Sequence, residues 1–189
     1  MEKYKIIALF GEAGAGKDYI QKKIMQTNWG QEYLHPIISY TTRPPRGNEK
    51  DGVDYHFLSN AAEFMEKDLI EYTTFRTWRY GTGKDCLDIN KINIGVFNMQ
   101  GIESLMFKPD MDVLPIRIKA NEVTRLMRQL QREDNPDCFE ICRRFIADRQ
   151  DYFVVPFHYW IIENNAYEFT PIFEEIKHLA EDKWLKQDN

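Results

Sequence analysis

The chain has 189 residues, a length suited to one α/β domain with at most a small inserted lobe, and its 43% hydrophobic content supports a sizeable core. A net charge of −5 and a pI near 5.5 argue against general binding to nucleic acid or to an anionic membrane, both of which call for a basic face. The longest apolar run near the N-terminus, Ile6 to Phe10, is too short for a signal-peptide core or a membrane span, so a soluble, cytoplasmic protein is expected.

That run reads as a strand, and Gly11-Glu12-Ala13-Gly14-Ala15-Gly16-Lys17-Asp18 follows it directly, with a helix-like segment opening at Lys17. Gly-x-x-x-x-Gly-Lys is the spacing of a phosphate-binding loop. Its glycines let successive N–H groups turn inward around an anion, and the lysine adds a point charge at the terminal phosphates. A helix that starts where the loop ends aims its unpaired amides and its positive dipole end at the same place. The position that normally carries a Ser or Thr hydroxyl for Mg²⁺ is Asp18 here. A carboxylate is also a hard oxygen ligand, able to hold the ion directly or through water, and an acid in a first helical turn is favourable in its own right. Both readings of Asp18 stand at this point.

Tyr19, Ile20, Lys23 and Ile24 continue a helical spacing, with Trp29-Gly30 as its expected end, and Ile37 to Ser39 reads as a second short strand. The stretch from Ser39 to Phe57 is rich in turn formers and charges. Pro44-Pro45 stiffens the backbone between Arg43 and Arg46, so two guanidiniums are expected on an extended segment that suits a second phosphate; composition alone would make it a solvated loop. Asn60-Ala61-Ala62-Glu63 reads as a capping box opening a helix to Lys67, and Leu69 to Phe75 alternates as a strand. Asn93 to Met99 suits a central parallel strand, with a helix from Gln100-Gly101 toward Phe107. Val113 to Ile118 is the next strand, and Asn121 caps a helix through Gln131. A polar break leads into a further helix from Phe139 to Tyr152, whose arginines, like those of its predecessor, read mostly as solvated faces. His158 to Glu163 is the last strand. Thr170-Pro171 is expected at N-cap and N1 of a closing helix whose apolar face is Ile172, Phe173, Ile176, Leu179, Ala180 and Trp184. Cys86, Cys138 and Cys142 form no Cys-x-x-Cys pair, which fits a reducing compartment; Cys138 and Cys142 read as buried small hydrophobes. The four histidines show no metal spacing. Strands alternating with helices imply an α/β fold with a parallel sheet covered on both faces.

Ser39, Thr42, Arg43 and Arg46, then Gly52, Asp54, Tyr55 and Phe57, match the pattern Ser-x-x-Thr-Arg-x-x-Arg followed by Gly-x-Asp-Tyr-x-Phe, and Glu71 stands nine residues before Tyr80-Gly81-Thr82. With the phosphate loop, these motifs make the chain resemble the guanylate kinase family over nearly its whole length. The resemblance implies a P-loop NTPase fold in a single domain, 1–189. Its core would be about 1–38, 92–125 and 153–189, with an inserted α+β monophosphate-binding lobe at about 39–91 and a helical lid at about 126–152. It implies ATP-dependent phosphorylation of GMP or dGMP. The donor would lie on Gly11, Ala13, Gly14, Ala15, Gly16, Lys17, Asp18 and Asn164, and the acceptor on Ser39, Arg43, Arg46, Tyr55, Glu71, Tyr80, Thr82 and Asn98. Lys17, Arg43, Arg128, Arg132 and Arg144 would be catalytic, and Mg²⁺ would be the cofactor with Asp18 as its candidate ligand. In the family Glu71 would accept hydrogen bonds from the guanine N1–H and 2-amino groups.

One motif departs. The family's Asp-x-Asp-x-Gln-Gly is Val96-Phe97-Asn98-Met99-Gln100-Gly101 here, so an acid near the metal has become Val96 and one supporting the guanine site has become Asn98. These losses leave room for a kinase of other or broader base preference. Outside enzymes, the alternative is an inactive binding module of the same fold, against which Lys17 and the intact glycines speak.

Overall fold

In a computed structural model that describes residues 2–45, 47, 49–132, 135–166 and 168–186, the first strand, β1 (Tyr4–Phe10), is sealed on both sides: Ile6 through Phe10 are each 0% exposed. Strand alternation sends Ile7 and Leu9 to one face and Ile6, Ala8 and Phe10 to the other, and a separate apolar cluster forms on each. Parallel pairing joins β1 to β7 (Ile92–Val96) on one edge and to β8 (Met111–Lys119) on the other. With β2 (Leu34–Pro36) and β9 (Trp160–Glu163) at the borders, the sheet order is β2-β7-β1-β8-β9, parallel throughout. Ile20 and Ile24 of α1 (Lys17–Met25) and Ile172, Ile176 and Ala180 of α7 (Phe169–Trp184) cover the Ile7/Leu9 face. Ile102 and Leu105 of α4 (Met99–Met106) cover the other. This is the doubly covered parallel sheet expected from the alternation of elements.

A second, four-stranded sheet is inserted between β2 and β7. It contains β3 (Tyr40–Thr41), β4 (His56–Phe57), β5 (Leu69–Phe75) and β6 (Trp78–Gly83) in the order β4-β3-β6-β5. The short helix α3 (Ala61–Met65) packs Phe64 under it. Beyond β8, α5 (Glu122–Leu130) and α6 (Cys138–Asp151) form a helical pair. Among the described residues, no helix is long and apolar enough to cross a membrane.

Several boundaries differ from the sequence-based expectations, each for a local reason. The first helix stops at Met25, and Trp29-Gly30 lies inside a second helix, α2 (Asn28–Tyr33). Thr27 makes the break: its Oγ1 donates to Ile24 O at 2.7 Å and accepts from Gly30 N at 3.0 Å, closing one helix and capping the next. The strand expected at Ile37 to Ser39 is displaced to Leu34–Pro36, where the edge of β7 is available; only Ile37 N still bonds to Ile94 O. Pro36 is tolerated because β2 borders the sheet. β7 ends at Val96, since Asn98 caps α4 and Met99 is already helical. α3 ends at Met65, two residues before Lys67. β9 begins at Trp160, two residues after His158. Glu168, not Thr170, is the N-cap of α7, so Thr170 and Pro171 fall inside its first turn, where a missing N–H is harmless. Cys138 and Cys142 are exposed, because the buried stripe of α6 runs through Ile141; Cys86 alone of the three is buried.

Asn93, in the middle of β7 and 0% exposed, is a polar residue the strand pattern does not explain. Its Nδ2 donates to Lys5 O and Asp88 O at 3.1 and 2.9 Å, and its Oδ1 accepts from Asp88 N at 2.8 Å, tying the turn before β7 to the sheet. Replacing it by Ala leaves these backbone groups buried without partners, so chemical denaturation should register a loss of about 2–4 kcal/mol for Asn93→Ala.

Candidate active site

The loop between β1 and α1 is shaped by three glycines in the left-handed region, Gly11, Gly14 and Gly16, with φ of 137°, 81° and 96°. Two of them are also needed for close approach. A Cβ on Gly11 would lie 2.2 Å from Ile118 O at the end of β8, and one on Gly14 would lie 2.6 Å from Arg125 O on α5. α1 starts immediately after Gly16 with no side-chain cap, so its leading amides face the loop. Lys17 Nζ curls back and donates to Gly11 O at 2.7 Å and Glu12 O at 3.1 Å. Burial pulls its pKa down, against the opposing pull of Asp18, Asp148 and Glu12.

The loop is braced from the α5–α6 side. Buried Arg125 donates through Nε to Ala13 O at 3.1 Å and through Nη2 to Asp148 at 2.9 Å, while Asp148 accepts Ala13 N–H at 2.9 Å. Tyr152 donates its hydroxyl to Gly11 O at 2.9 Å. Glu12 is paired with Arg117 at 2.7 Å. Burial pushes the Asp148 carboxyl above its ordinary range. Asn164 and Arg128 hold the far side of the loop: Asn164 Nδ2 donates to Ala15 O at 2.8 Å, and Arg128 Nη2 donates to Asn164 O at 3.0 Å. Arg125, Asp148 and Tyr152 escaped the sequence reading. The sequence signal for Asp148 is its position one turn after Arg144, on the same side of α6.

Between the loop, α6 and the β5–β6 hairpin lies a cavity of about 310 Å³, walled by Ala13, Tyr80, Arg143, Arg144, Asp148 and Asp151 among others. Arg144 is thus brought to the cleft. Its neighbour Arg143, read as part of a solvated face, is there too, 5.1 Å from the Phe75 ring. Both are oriented by Glu140 at 2.8 Å, and they hold its carboxyl down to about 2. Arg132 is exposed beyond the end of α5.

Arg43 does not stand out from a stiff extended segment. It is 3% exposed and forms a bidentate pair with Glu49 at 2.9 and 3.0 Å, its guanidinium 5.4 Å from the Tyr55 ring. A guanidinium this buried requires a carboxylate, and Glu49 supplies it from the same loop. Arg46 lies outside the described residues. Tyr55 meets Tyr80 edge to face at 6.1 Å, and burial, then the charge of Asp18, pushes its phenol up to about 12. Asp18 is exposed, and its carboxylate forms no hydrogen bond or ion pair among the described residues. No group of three or more His, Cys, Asp or Glu able to hold a metal occurs among them. A hard, unengaged carboxylate beside a phosphate loop fits Mg²⁺, which keeps several waters and needs only one or two protein oxygens beside its phosphates.

On the β5–β6 hairpin, Glu71 is 8% exposed, sits at a β-bulge between Leu69 and Glu71, and lines a second groove of about 590 Å³ with Gln100, Ser104 and Lys108. Its Oε1 accepts from Thr82 Oγ1 at 2.7 Å, and Thr82 in turn lies 3.0 Å from Ser39 Oγ. Burial pushes the Glu71 carboxyl up to about 7 in spite of these bonds. Asn98 caps α4, its Oδ1 accepting Gly101 N–H at 2.7 Å, and Val96 closes β7 opposite Leu9.

A family model for guanylate kinase matches residues 3–182. The guanylate kinase of Wigglesworthia glossinidia brevipalpis is 30% identical over 180 residues, which cover 91% of this chain and 81% of that protein. The Sus scrofa guanylate kinase is 27% identical over 154 residues, 77% of this chain and 75% of that protein. The Schizosaccharomyces pombe guanylate kinase is 32% identical over 115 residues, and the match spans 57% of this chain but little more than half, 55%, of that protein. The crystal structure of guanylate kinase from Anaplasma phagocytophilum superposes with a TM-score of 0.68 at 18% identity, covering 99% of this chain and 89% of that one, a likeness of fold.

The Glu71 carboxyl bears on stability. Its folded pKa of about 7 lies above the ordinary 4.5, so between those values the folded protein keeps a proton that the unfolded chain releases, and stability falls as pH rises through that window. Glu71→Gln removes the titration and keeps an acceptor for Thr82. Urea denaturation without nucleotide should find it about 1–3 kcal/mol more stable than wild type at pH 8 and nearly equal to it at pH 4.

Proposed function

The chain belongs to the guanylate kinase family of nucleoside monophosphate kinases, and from that premise we propose that it transfers the γ-phosphoryl group of ATP in line to GMP or dGMP, giving ADP and GDP or dGDP. The observation that carries this reading is an intact phosphate loop with Lys17 curled into it, faced by a β5–β6 hairpin that puts Tyr80 on the wall of the loop-side cavity and carries the buried carboxylate of Glu71. In this reading the segment of about 39–91 is the acceptor lobe and that of about 126–152 is the lid.

Phosphoryl transfer asks for positioning and charge neutralisation more than for covalent chemistry. The loop amides of Gly14, Gly16 and Lys17 and the Lys17 ammonium hold the terminal phosphates of the donor. Arg43, fixed in direction by Glu49, takes the acceptor phosphate together with Tyr55, Tyr80 and Arg46. Arg143 and Arg144, held ready by Glu140, screen the charge that spreads between donor and acceptor. Asp18 would hold Mg²⁺ directly or through water, and the ion supplies charge neutralisation on the donor phosphates. The walls of α6 and the β5–β6 hairpin keep water from the γ-phosphoryl group, which would otherwise be hydrolysed. Glu71 reads the base: a 6-oxopurine offers its N1–H as a donor, whereas adenine, with an acceptor at N1, would leave the carboxylate buried and unpaired. Two exposed thiols, Cys138 and Cys142, suit a reducing, cytoplasmic setting. A second reading, broader base preference, is favoured by Asn98 in place of an acid.

A coupled ADP-release assay with Mg-ATP and GMP, dGMP, AMP or dTMP tests the proposal. Turnover with GMP or dGMP is expected. Lys17→Met should lower kcat by roughly 10²–10³-fold, and Glu71→Ala should raise KM for GMP and erode base choice. Absence of turnover with every monophosphate, with no ATP bound in calorimetry, would sink it in favour of a binding module.

A further inference from the structure

Glu71 and Asn98 meet across the first turn of α4. A Cβ on Gly101 would lie 2.9 Å from Glu71 Oε2 and 3.1 Å from Asn98 Oδ1, so the two side chains share one corner beside the start of α4. Their hydrogen-bonding capacity is already partly committed. Glu71 Oε1 takes the Thr82 hydroxyl, which leaves Oε2 as its open acceptor. Asn98 Oδ1 takes Gly101 N–H as the α4 cap. Because that N–H can only donate, it fixes which end of the carboxamide faces it, and the end left over is the NH₂ group. That group makes no hydrogen bond among the described residues, and the residue is exposed. The corner therefore sets an acceptor beside a donor. An aspartate in the same capping position would set two acceptors side by side.

The distinction matters at position 2 of a 6-oxopurine. Guanine presents two donors in a row, N1–H and the 2-amino group. Hypoxanthine presents N1–H beside a bare C2–H. In both, N1–H suits Glu71. Beside it, the guanine amino group meets the Asn98 NH₂, donor against donor, whereas hypoxanthine brings no donor there. We propose that the acceptor pocket selects the 6-oxopurine ring but not the 2-amino group, that Asn98 sets this, and that inosine monophosphate (IMP) is a substrate on a par with GMP. The inference rests on the kinase reading of this site and extends it to a class of acceptor.

The test compares kcat/KM for GMP and IMP in wild type and in Asn98→Asp. Asp is as good an N-cap as Asn, so the variant keeps α4 while turning the free donor into an acceptor. The wild-type ratio of GMP to IMP should fall within about tenfold, and Asn98→Asp should raise it by about tenfold or more, chiefly through a lower KM for GMP. Asn98→Ser, which keeps a cap and removes the opposing NH₂ group, should move the ratio toward GMP, but by less than Asn98→Asp, which adds an acceptor. A wild-type preference for GMP well beyond tenfold, or a ratio that Asn98→Asp leaves within about threefold of wild type, overturns the inference while leaving GMP phosphorylation intact. If neither nucleotide is phosphorylated, the kinase reading falls and this inference with it.

Discussion

The site depends on how closely the phosphate loop is pressed against its surroundings. At Gly11 and Gly14 there is no room even for a methyl group, because Ile118 O and Arg125 O occupy that space. Both positions also need positive φ, so glycine is required twice over, by conformation and by contact. The closeness lets short polar groups from distant parts of the chain reach the loop backbone: Arg125 and Asp148 at Ala13, Tyr152 at Gly11, Asn164 at Ala15. A larger residue at either glycine would separate the loop from β8 or α5 and would loosen the bracing that orients its amides. Preorganisation of this kind keeps a phosphate site from having to rearrange when its ligand arrives.

The same economy governs the charges. The protein carries a net charge of −5, yet arginines gather at its site, and the two facts are compatible because most of these arginines are held by carboxylates. Arg43 has Glu49, Arg125 has Asp148, Arg117 has Glu12, and Arg143 and Arg144 share Glu140. The buried pairs among these add little to stability after desolvation, and the more exposed pairs of Arg143 and Arg144 add little because water screens them. Their use is directional: the partner carboxylate fixes where a guanidinium points, and the local field of the cleft is set independently of the net charge. The cation–π contacts of Arg43 with Tyr55 and of Arg125 with Phe145 restrict the planes further.

What could be read from the sequence was what is local. The phosphate loop announced itself because its glycines, lysine and flanking strand and helix lie within a few residues of each other, and the strands of the central sheet announced themselves through apolar runs. Helix boundaries failed where a single polar side chain overrode periodicity, as Thr27 did between α1 and α2 and Asn98 did at the end of β7. Cys138 and Cys142 were misjudged because four-residue spacing puts two residues on one face without saying which face is buried. The bracing of the loop by Asp148 and Tyr152 was invisible for a different reason. Residues 135 and 141 positions away in sequence meet only after the parallel sheet has formed, and no periodicity encodes that contact.

Glu71 joins these strands of argument. A carboxyl group kept in a nearly dry corner resists ionisation, and the fold supports it chiefly through one residue, Thr82, whose hydroxyl is itself linked to Ser39. A fully satisfied carboxylate would be more stable and would have nothing left to offer a base. The incomplete satisfaction of Glu71 Oε2 leaves it able to recognise, because a ligand N–H is then the best partner within reach. The bulge that turns Glu71 inward, the missing side chain at Gly101 that makes room for it, and the cap that commits Asn98 Oδ1 all serve that one unspent acceptor. Stability is given up locally at the point where recognition requires it, as expected of a functional site on an otherwise well-satisfied fold.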